Sequence, residues 1–313
     1  MTARAAVLDA ARSARLAELP LPEPGAGEVR VRLEGCGVCG SDLPVWEGRP
    51  WFGYPREPGS PGHEGWGRVE AVGPGVEAPA VGARVAGLTY HAYADREVAA
   101  AGVLVPLPAE LEGRPFPGEA LGCAVNVFRR SGIRAGQTVA VVGVGFLGAI
   151  VVQLAVREGA RVLGISRRPA ARDAARRMGA AQVFPLDDPP EPEPEPESCD
   201  VVVEAGGRQA TLDAASRLVR VRGRLVVAGF HQDGPRQVDL QSWNWRGIDV
   251  INAHERDPER YLDGMRTAAR WVAKGRLDPD PLYTHRFPLE SLSEALDTAS
   301  RRPDGFMKAL VIA

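Results

Sequence analysis

The chain has 313 residues, of which 44% are hydrophobic and 25% charged, and its formal net charge is −2. This length suits two domains, and the balanced charge without a basic block argues against a nucleic-acid partner. No apolar stretch approaches the ~18–20 residues of a membrane span, so we expect no membrane segment. Because neither a nucleic acid nor a membrane is indicated, we expect a small-molecule partner. The N-terminal residues contain no long apolar core of the kind that a secretory signal peptide has. The four cysteines are too few for a disulfide scaffold, so we expect a cytoplasmic location.

The first third of the chain predicts β-structure. Apolar residues alternate with arginines at 28–33, which predicts a half-buried strand that runs into the glycine-rich segment GCGVCGSD. Short strands with Gly and Pro between them follow at 65–72 and 81–86.

From about residue 120 the pattern changes to alternating strands and helices. The apolar run 138–145 predicts a strand, and the helical spacing of apolar residues in 146–158 predicts the helix after it. Further strands are predicted at 162–165, 201–203 and 225–228, and further helices at 169–178 and 209–219. This alternation is typical of a doubly wound parallel sheet.

The segment 187–198, DDPPEPEPEPES, separates two of these elements. Alternating Pro and Glu can neither bury apolar area nor continue a helix, so the segment predicts an extended, solvated loop. A docking element for a partner is the alternative. In the tail we expect a helix from 258 to about 274, an extended segment PLYTHRFPL, a helix at 289–299 and a strand at 306–312.

Three glycines follow the predicted strand at 138–145 with the spacing G-x-G-x-x-G, namely Gly143, Gly145 and Gly148. In a strand–turn–helix context the first allows a tight turn, the second lets the backbone approach a pyrophosphate, and the third permits close helix packing. This glycine fingerprint therefore predicts a dinucleotide site, with plain turn glycines as the alternative.

The end of the next predicted strand reads GISRR, where NAD enzymes usually carry a carboxylate for the ribose hydroxyls. Ser166, Arg167 and Arg168 instead offer a hydroxyl and two guanidinium groups, which suit a 2′-phosphate. The segment favours NADP over NAD. Solvated surface arginines are the alternative.

Two short segments carry side chains that zinc prefers as ligands. GCGVCGSD contributes Cys39, followed by Ser41 and Asp42, and PGHEG contributes His63 beside Glu64. Thiolate, imidazole and carboxylate are the ligand set of zinc. Spacing alone leaves a metal site and a set of unrelated buried groups equally open.

Six segments in this order resemble the zinc-containing medium-chain dehydrogenase/reductases, which include alcohol, polyol and threonine dehydrogenases. They are GCGVCGSDL, GHEGWGRVEAVGPGV, EALGCAVNVFRR, the glycine fingerprint, PLYTHRFPL and GFMKALV. The resemblance implies an α/β fold with two domains. A GroES-like β-rich catalytic domain takes residues 1–123 and 276–313, and a Rossmann domain takes residues 124–275. A homodimer or homotetramer is also implied.

The resemblance implies that Cys39 and His63 bind catalytic zinc. Glu119 is implied as the third ligand, and Cys123 is the alternative; if Glu119 binds the metal, Cys123 is expected near the nicotinamide. Glu64 is expected beneath the metal, as a ligand in some states of the enzyme.

Further roles are implied for neighbouring residues: Ser41 passes a proton on, Asp42 orients the ligands, and Lys308 pairs with Glu64. Many family members also carry a lobe of four closely spaced cysteines for a structural zinc. Here the chain runs from GARVAGLTYHAYADREV directly towards VPLP, so we expect one zinc per chain.

The implied activity is zinc-dependent hydride transfer between NAD(P) and a secondary alcohol or polyol, or the corresponding carbonyl. Two alternatives stay open. The first is a zinc-free reductase of the same superfamily that acts on an enone or quinone. The second is a non-catalytic NADPH-binding protein.

Overall fold

The computed structural model describes residues 2–187 and 194–313, so residues 188–193 of the predicted Pro-Glu loop lie outside the described part. The elements are numbered here in chain order. They are β1 (Thr2–Ala10), β2 (Ser13–Pro20), β3 (Glu28–Gly37), α1 (Leu43–Trp46), β4 (Glu64–Val72), β5 (Arg84–Gly87), β6 (Arg96–Ala100), β7 (Leu104–Pro106), α2 (Gly118–Ser131), β8 (Thr138–Val142), α3 (Phe146–Arg157), β9 (Arg161–Ile165), α4 (Pro169–Arg177), β10 (Gln182–Phe184), β11 (Cys199–Glu204), α5 (Gln209–Leu218), β12 (Val219–Val227), α6 (Leu240–Arg246), β13 (Asp249–Asn252), α7 (Pro258–Ala273), β14 (Tyr283–Pro288), α8 (Leu292–Arg301) and β15 (Lys308–Ile312).

The described residues form two compact units. Within the described residues, unit 1 comprises 2–122 and 261–313, and unit 2 comprises 123–187 and 194–260. Helix α7 is thus assigned to unit 1 from Tyr261 onward, whereas the sequence places the domain limit at residue 276. The domain limits 1–123 with 276–313, and 124–275, stay a prediction.

Unit 1 is built on a mixed sheet in which β3 is central. Its strand order is β14-β15-β3-β4-β5-β7, with β6 also paired to β3, and β1 and β2 form a separate antiparallel pair. Strands β3 and β4 run antiparallel with Gly37 opposite Glu64. This register places the segment after β3 beside the start of β4, which are the two segments with candidate zinc ligands.

Unit 2 contains a six-stranded sheet, in the part of the chain described, with the order β10-β9-β8-β11-β12-β13. Every pairing in it is parallel. Residues Val139–Val142 of β8 are inaccessible to solvent, as expected for a strand covered on both faces. The order reverses between β8 and β11, and a doubly wound sheet binds its ligand at such a switch point. The predicted parallel sheet is confirmed.

Across the residues with described structure, no helix combines the length and the apolar character needed to cross a membrane.

Candidate functional site

The turn after β3 and the start of β4 bring three candidate ligands together. One ligand atom each from Cys39, His63 and Glu64 lies within 4.8 Å of the other two. Cys39 and His63 are half-buried, and Glu64 is fully buried. We refer to these three residues as the metal cluster.

The ring of His63 is held in one orientation by its Nδ1 side. Nδ1 lies 2.9 Å from the carbonyl oxygen of Pro61 and 3.2 Å from Asp42 Oδ1. Because a carbonyl only accepts, Nδ1 carries a hydrogen, so Nε2 is the ring nitrogen that would bind a metal. The Ser41 hydroxyl oxygen lies 3.3 Å from Nε2. Burial lowers the pKa of His63, but Asp42 and Cys39 outweigh this effect and raise it well above 6.5 in the metal-free chain.

Asp42 links the two segments of the cluster. Its carboxylate is 1% exposed, and Oδ2 accepts hydrogen bonds from the backbone N–H of Cys39 at 2.9 Å and from the Tyr93 hydroxyl at 2.6 Å. Since Oδ1 lies 3.2 Å from His63 Nδ1, one buried carboxylate holds the Cys39 backbone and places negative charge beside the His63 ring. Tyr93 is a contributor that the sequence analysis missed; no local motif marks it.

Glu64 is engaged by Lys308 from strand β15. Lys308 Nζ donates to Glu64 Oε1 at 2.6 Å, and both side chains are buried. Burial lowers the pKa of Lys308, but the negative charges of Glu64 and Cys39 raise it overall, so the ammonium form is retained. A Cβ at Gly37 would collide with Glu64 Oε2, so the glycine opposite Glu64 makes room for this carboxylate.

Glu119 and Cys123, the two alternatives for the third ligand, lie outside the metal cluster among the described residues. Both are half-buried on helix α2, and Glu119 accepts a hydrogen bond from the Tyr261 hydroxyl. Burial raises the pKa of Glu119, and the charge of Glu64 adds to this effect. The assignment of Glu119 as a ligand stays a prediction, as does the alternative Cys123.

The metal cluster fits zinc by the chemistry of its donors. A thiolate, an imidazole and a carboxylate are ligands that zinc takes in catalytic sites, and three protein ligands leave a position for substrate. The Nδ1 contacts of His63 are the outer contacts that such a histidine ligand needs.

The three fingerprint glycines differ in backbone conformation and in what surrounds each Cβ position. Gly143 has φ +96°, which favours glycine, and a Cβ there would lie 2.5 Å from the backbone nitrogen of Gly206. A Cβ on Gly148 would collide with the carbonyl oxygen of Gly143. Gly145, at the N-cap of α3, has no atom within 4 Å of its Cβ position. The turn therefore leaves open space at the helix N-terminus, where a pyrophosphate is favoured.

Ser166, Arg167 and Arg168 form the segment between β9 and α4. Ser166 is buried, Arg167 is exposed, and Arg168 is the half-buried N-cap of α4. Arg172 donates to the carbonyl oxygens of Ser166 and Arg167 at 2.9 and 2.8 Å, and so holds the segment in place. Arg172 was missed by the sequence analysis because its position in the first turn of a helix looks like an ordinary solvated residue.

Family models match both parts of the chain. Residues 25–108 match the alcohol dehydrogenase GroES-like domain, and residues 147–270 match the zinc-binding dehydrogenase. Together the matches cover well over half of the chain. The chain belongs to the zinc-type medium-chain dehydrogenase/reductases. The predicted family is thus confirmed, together with its GroES-like and Rossmann folds.

Several known proteins are similar to this medium-chain dehydrogenase/reductase over most of its length. It is 29% identical to a sorbitol dehydrogenase from Gallus gallus, over 95% of this chain and 93% of the relative. It is 27% identical to a 2-dehydro-3-deoxy-L-galactonate 5-dehydrogenase from Pseudoalteromonas atlantica, over 92% of each chain. A solved structure from Sinorhizobium meliloti 1021, described as a zinc-binding dehydrogenase bound to NADP, is 25% identical with a TM-score of 0.86, over 100% of both chains.

One further buried group of this medium-chain dehydrogenase/reductase escaped the sequence analysis. Glu204 ends strand β11 and is fully inaccessible to solvent. The sequence does carry a signal, because an acidic residue closes the apolar run VVVE and only Ala205 separates it from a pair of glycines. A buried carboxylate in that position needs donors nearby.

Proposed function

We propose that this enzyme catalyses reversible oxidation of a secondary alcohol carbon of a polyol to a carbonyl, with zinc and with NADP in preference to NAD. The metal cluster is the observation that carries the proposal, because its three donors suit a catalytic zinc. Relatives described as a sorbitol dehydrogenase and a 2-dehydro-3-deoxy-L-galactonate 5-dehydrogenase support a polyol substrate.

Cys39, His63 and Glu64 would hold the metal, with Glu119 as the competing third ligand. Bound zinc would supply a Lewis acid that lowers the pKa of the substrate hydroxyl, and bound NADP would supply the hydride acceptor. The Pro61 carbonyl and Asp42 contact the Nδ1 side of His63, so Nε2 is the nitrogen that would bind the metal. The Ser41 hydroxyl, 3.3 Å from Nε2, is placed to receive the proton of the alcohol and pass it on.

The preference for NADP rests on unit 2. The residues at 166–168 include no carboxylate, and exposed Arg167 is available for a 2′-phosphate. The NADP-bound structure with 25% identity supports the same assignment.

The decisive experiment is the zinc content per chain of purified protein, with fluorescence titrations of NADPH and NADH on the same sample. We expect one zinc per chain, tighter binding of NADPH, and turnover of polyols with NADP. Cys39→Ser should lose zinc and turnover but keep NADPH binding. A zinc-free protein that reduces enones would establish the alternative reductase, and nucleotide binding without any turnover would establish the non-catalytic alternative.

We further propose a homodimer or homotetramer, in the cytoplasm, where the thiol of Cys39 stays reduced. Strand β13 lies at an edge of the parallel sheet. Helix α6 before it leaves Leu240 67% and Trp245 89% exposed, and a second copy of the chain would cover such apolar surface. Light scattering should give a dimer or tetramer, and Trp245→Glu should shift it towards the monomer.

A further inference from the structure

The buried carboxylate of Glu204 organises the turn that follows β11. Its Oε1 accepts three hydrogen bonds, from the backbone N–H groups of Gly206 and Gly207 at 2.8 and 2.7 Å and from the Thr211 hydroxyl at 2.6 Å. Donors that converge on one carboxylate oxygen make short, charge-assisted bonds. We call residues 205–207 the Gly206 turn.

The other oxygen of Glu204 faces His231. His231 Nε2 lies 3.0 Å from Oε2, and Arg236 Nε donates to His231 Nδ1 at 2.8 Å. Because a guanidinium only donates, Nδ1 accepts, so Nε2 carries the hydrogen and donates to Glu204. His231 is thereby held as one neutral tautomer.

Arg236 also contacts the Gly206 turn directly. A second nitrogen of Arg236 donates to the carbonyl oxygen of Gly207 at 3.0 Å. Glu204 thus accepts from the backbone N–H groups of the turn, and Arg236 donates to its carbonyl oxygen at Gly207. His231 lies between Glu204 and Arg236 and is hydrogen-bonded to both. The turn has little freedom of its own, because Gly207 has φ +69° and a Cβ on Gly207 would lie 2.6 Å from the carbonyl oxygen of Phe230.

The Gly206 turn lies against the glycine fingerprint. Glu204 pairs with Val142, and the Ala205 N–H donates to the Val142 carbonyl at 2.8 Å. The next residue along β8 is Gly143, whose Cβ position is 2.5 Å from Gly206 N. These two turns leave the carboxyl ends of the strands that flank the switch point, and a dinucleotide binds in the crevice there.

We propose that Glu204, His231 and Arg236 are positioning residues for the dinucleotide, which fix the peptide planes of the Gly206 turn beside the fingerprint before the nucleotide binds. The proposal rests on the nucleotide site of the proposed function. It requires the hydrogen-bonding pattern of His231, one donor towards Glu204 and one acceptor towards Arg236, and not merely its volume.

Three substitutions of His231 separate that pattern from packing. In His231→Gln the amide can donate to Glu204 and accept from Arg236, whereas His231→Leu fills space without either bond. We expect His231→Leu to raise the Kd of NADPH at least tenfold, His231→Gln to stay within about threefold of the parent, and His231→Ala to resemble His231→Leu. The Kd of NADH should change by the same factor as that of NADPH in each variant. The reason is that the Gly206 turn is separate from residues 166–168, which are proposed to distinguish the two nucleotides.

The measurement is a fluorescence titration of NADPH and NADH with the full chain, at a temperature where thermal unfolding shows every variant to be folded. His254→Leu, an exposed histidine of the same unit, is the matched control and should bind as the parent does. Parent-like binding by His231→Leu overturns the proposal, and so does equally weak binding by His231→Gln and His231→Leu. The proposed function fails separately, if the parent chain lacks zinc or turns over no alcohol while binding NADPH.

Discussion

The ammonium nitrogen of Lys308 lies 2.6 Å from the carboxylate of Glu64 in a region where the two residues are 4% and 0% exposed. Glu64 also shares the metal cluster with Cys39 and His63. One carboxylate therefore faces both a buried cation and a prospective metal, and Lys308 neutralises it when the metal is absent. A buried ion pair is costly to break from one side, because the remaining charge is left uncompensated.

This relationship predicts the behaviour of Lys308→Met. In zinc-free protein the substitution should destabilise unit 1 by about 3–5 kcal/mol, the range measured when one partner of a buried pair is removed. Zinc should recover much of that loss, because the metal supplies the missing positive charge to Glu64. Thermal unfolding with and without zinc measures both effects.

The double variant Glu64→Gln/Lys308→Met is the control for that experiment. Without a buried charge it should be more stable than Lys308→Met alone in the zinc-free state. If the two variants unfold at the same temperature, Glu64 and Lys308 are not coupled and the argument is wrong.

The fingerprint glycines give a matched pair of substitutions in one turn. Gly145→Ala places a methyl group in open space, so its stability should stay within about 0.5 kcal/mol of the parent. The same methyl group occupies the space for a pyrophosphate, so the Kd of NADPH should rise at least tenfold. Gly148→Ala meets the carbonyl oxygen of Gly143 and should lose about 1–3 kcal/mol of stability. Thermal unfolding and NADPH titration of both variants test this division, and unchanged nucleotide binding by Gly145→Ala would contradict it.

The sequence predicted most elements of unit 2 because their signals are local, but it gave no prediction for β10, α6 or β13. The apolar run at 138–145 contains β8, and the predicted helix at 146–158 contains α3, Phe146–Arg157. The first hairpin, β1 with β2, went unpredicted, since Thr2–Ala10 and Ser13–Pro20 are stabilised as strands by pairing with each other and carry no turn motif such as Asn-Gly.

The candidate site shows the same difference between residues with a local sequence signal and residues without one. The glycine fingerprint and the motif residues Cys39 and His63 are readable because each lies in a short pattern with a chemical reason. The contacts of Asp42 with Tyr93 and of Glu204 with His231 join residues 51 and 27 positions apart. Such pairs depend on tertiary packing, which a single sequence does not display.

The proposed preference for NADP makes a prediction for Arg167. Charge-assisted hydrogen bonds contribute about 1.5–3 kcal/mol, and solvent exposure of Arg167 places its effect at the lower end. Arg167→Ala should therefore raise the Kd of NADPH about tenfold and leave that of NADH unchanged. Arg161→Ala, an exposed arginine at the opposite end of β9, is the control and should affect neither. A loss shared equally by NADPH and NADH would mean that Arg167 does not contact the 2′-phosphate.

The cysteines should differ in reactivity. Burial raises the pKa of the Cys36 thiol well above 9.0, and burial also raises the pKa of Cys199. Both are inaccessible, whereas Cys39 and Cys123 are half-buried. Brief alkylation of folded, zinc-free protein at pH 7.5 should therefore label Cys39 and Cys123 first. Added zinc should protect Cys39 and leave Cys123 reactive, as peptide mass spectrometry would show. Rapid labelling of Cys36 would contradict its burial near the end of β3.

Glu97 predicts a dependence of stability on pH. Burial raises its pKa above the ordinary 4.5, although the Thr89 hydroxyl and the backbone N–H of His91 donate to it at 2.8 and 3.0 Å. Between 4.5 and the raised value the folded chain binds more protons at Glu97 than the unfolded chain does. The contribution of Glu97 to stability is thus greatest below pH 4.5 and falls as the pH rises through the raised pKa.

Glu97→Gln removes this titration. The unfolding temperature of the parent relative to Glu97→Gln should fall as the pH is raised from 5 and should level off above the pKa of folded Glu97. A difference of one in pKa corresponds to about 1.4 kcal/mol, so thermal unfolding at closely spaced pH values can resolve it. Glu110→Gln, a substitution at an exposed glutamate, is the control and should run parallel to the parent. A parent curve parallel to that of Glu97→Gln would show that burial does not raise the pKa of this carboxyl.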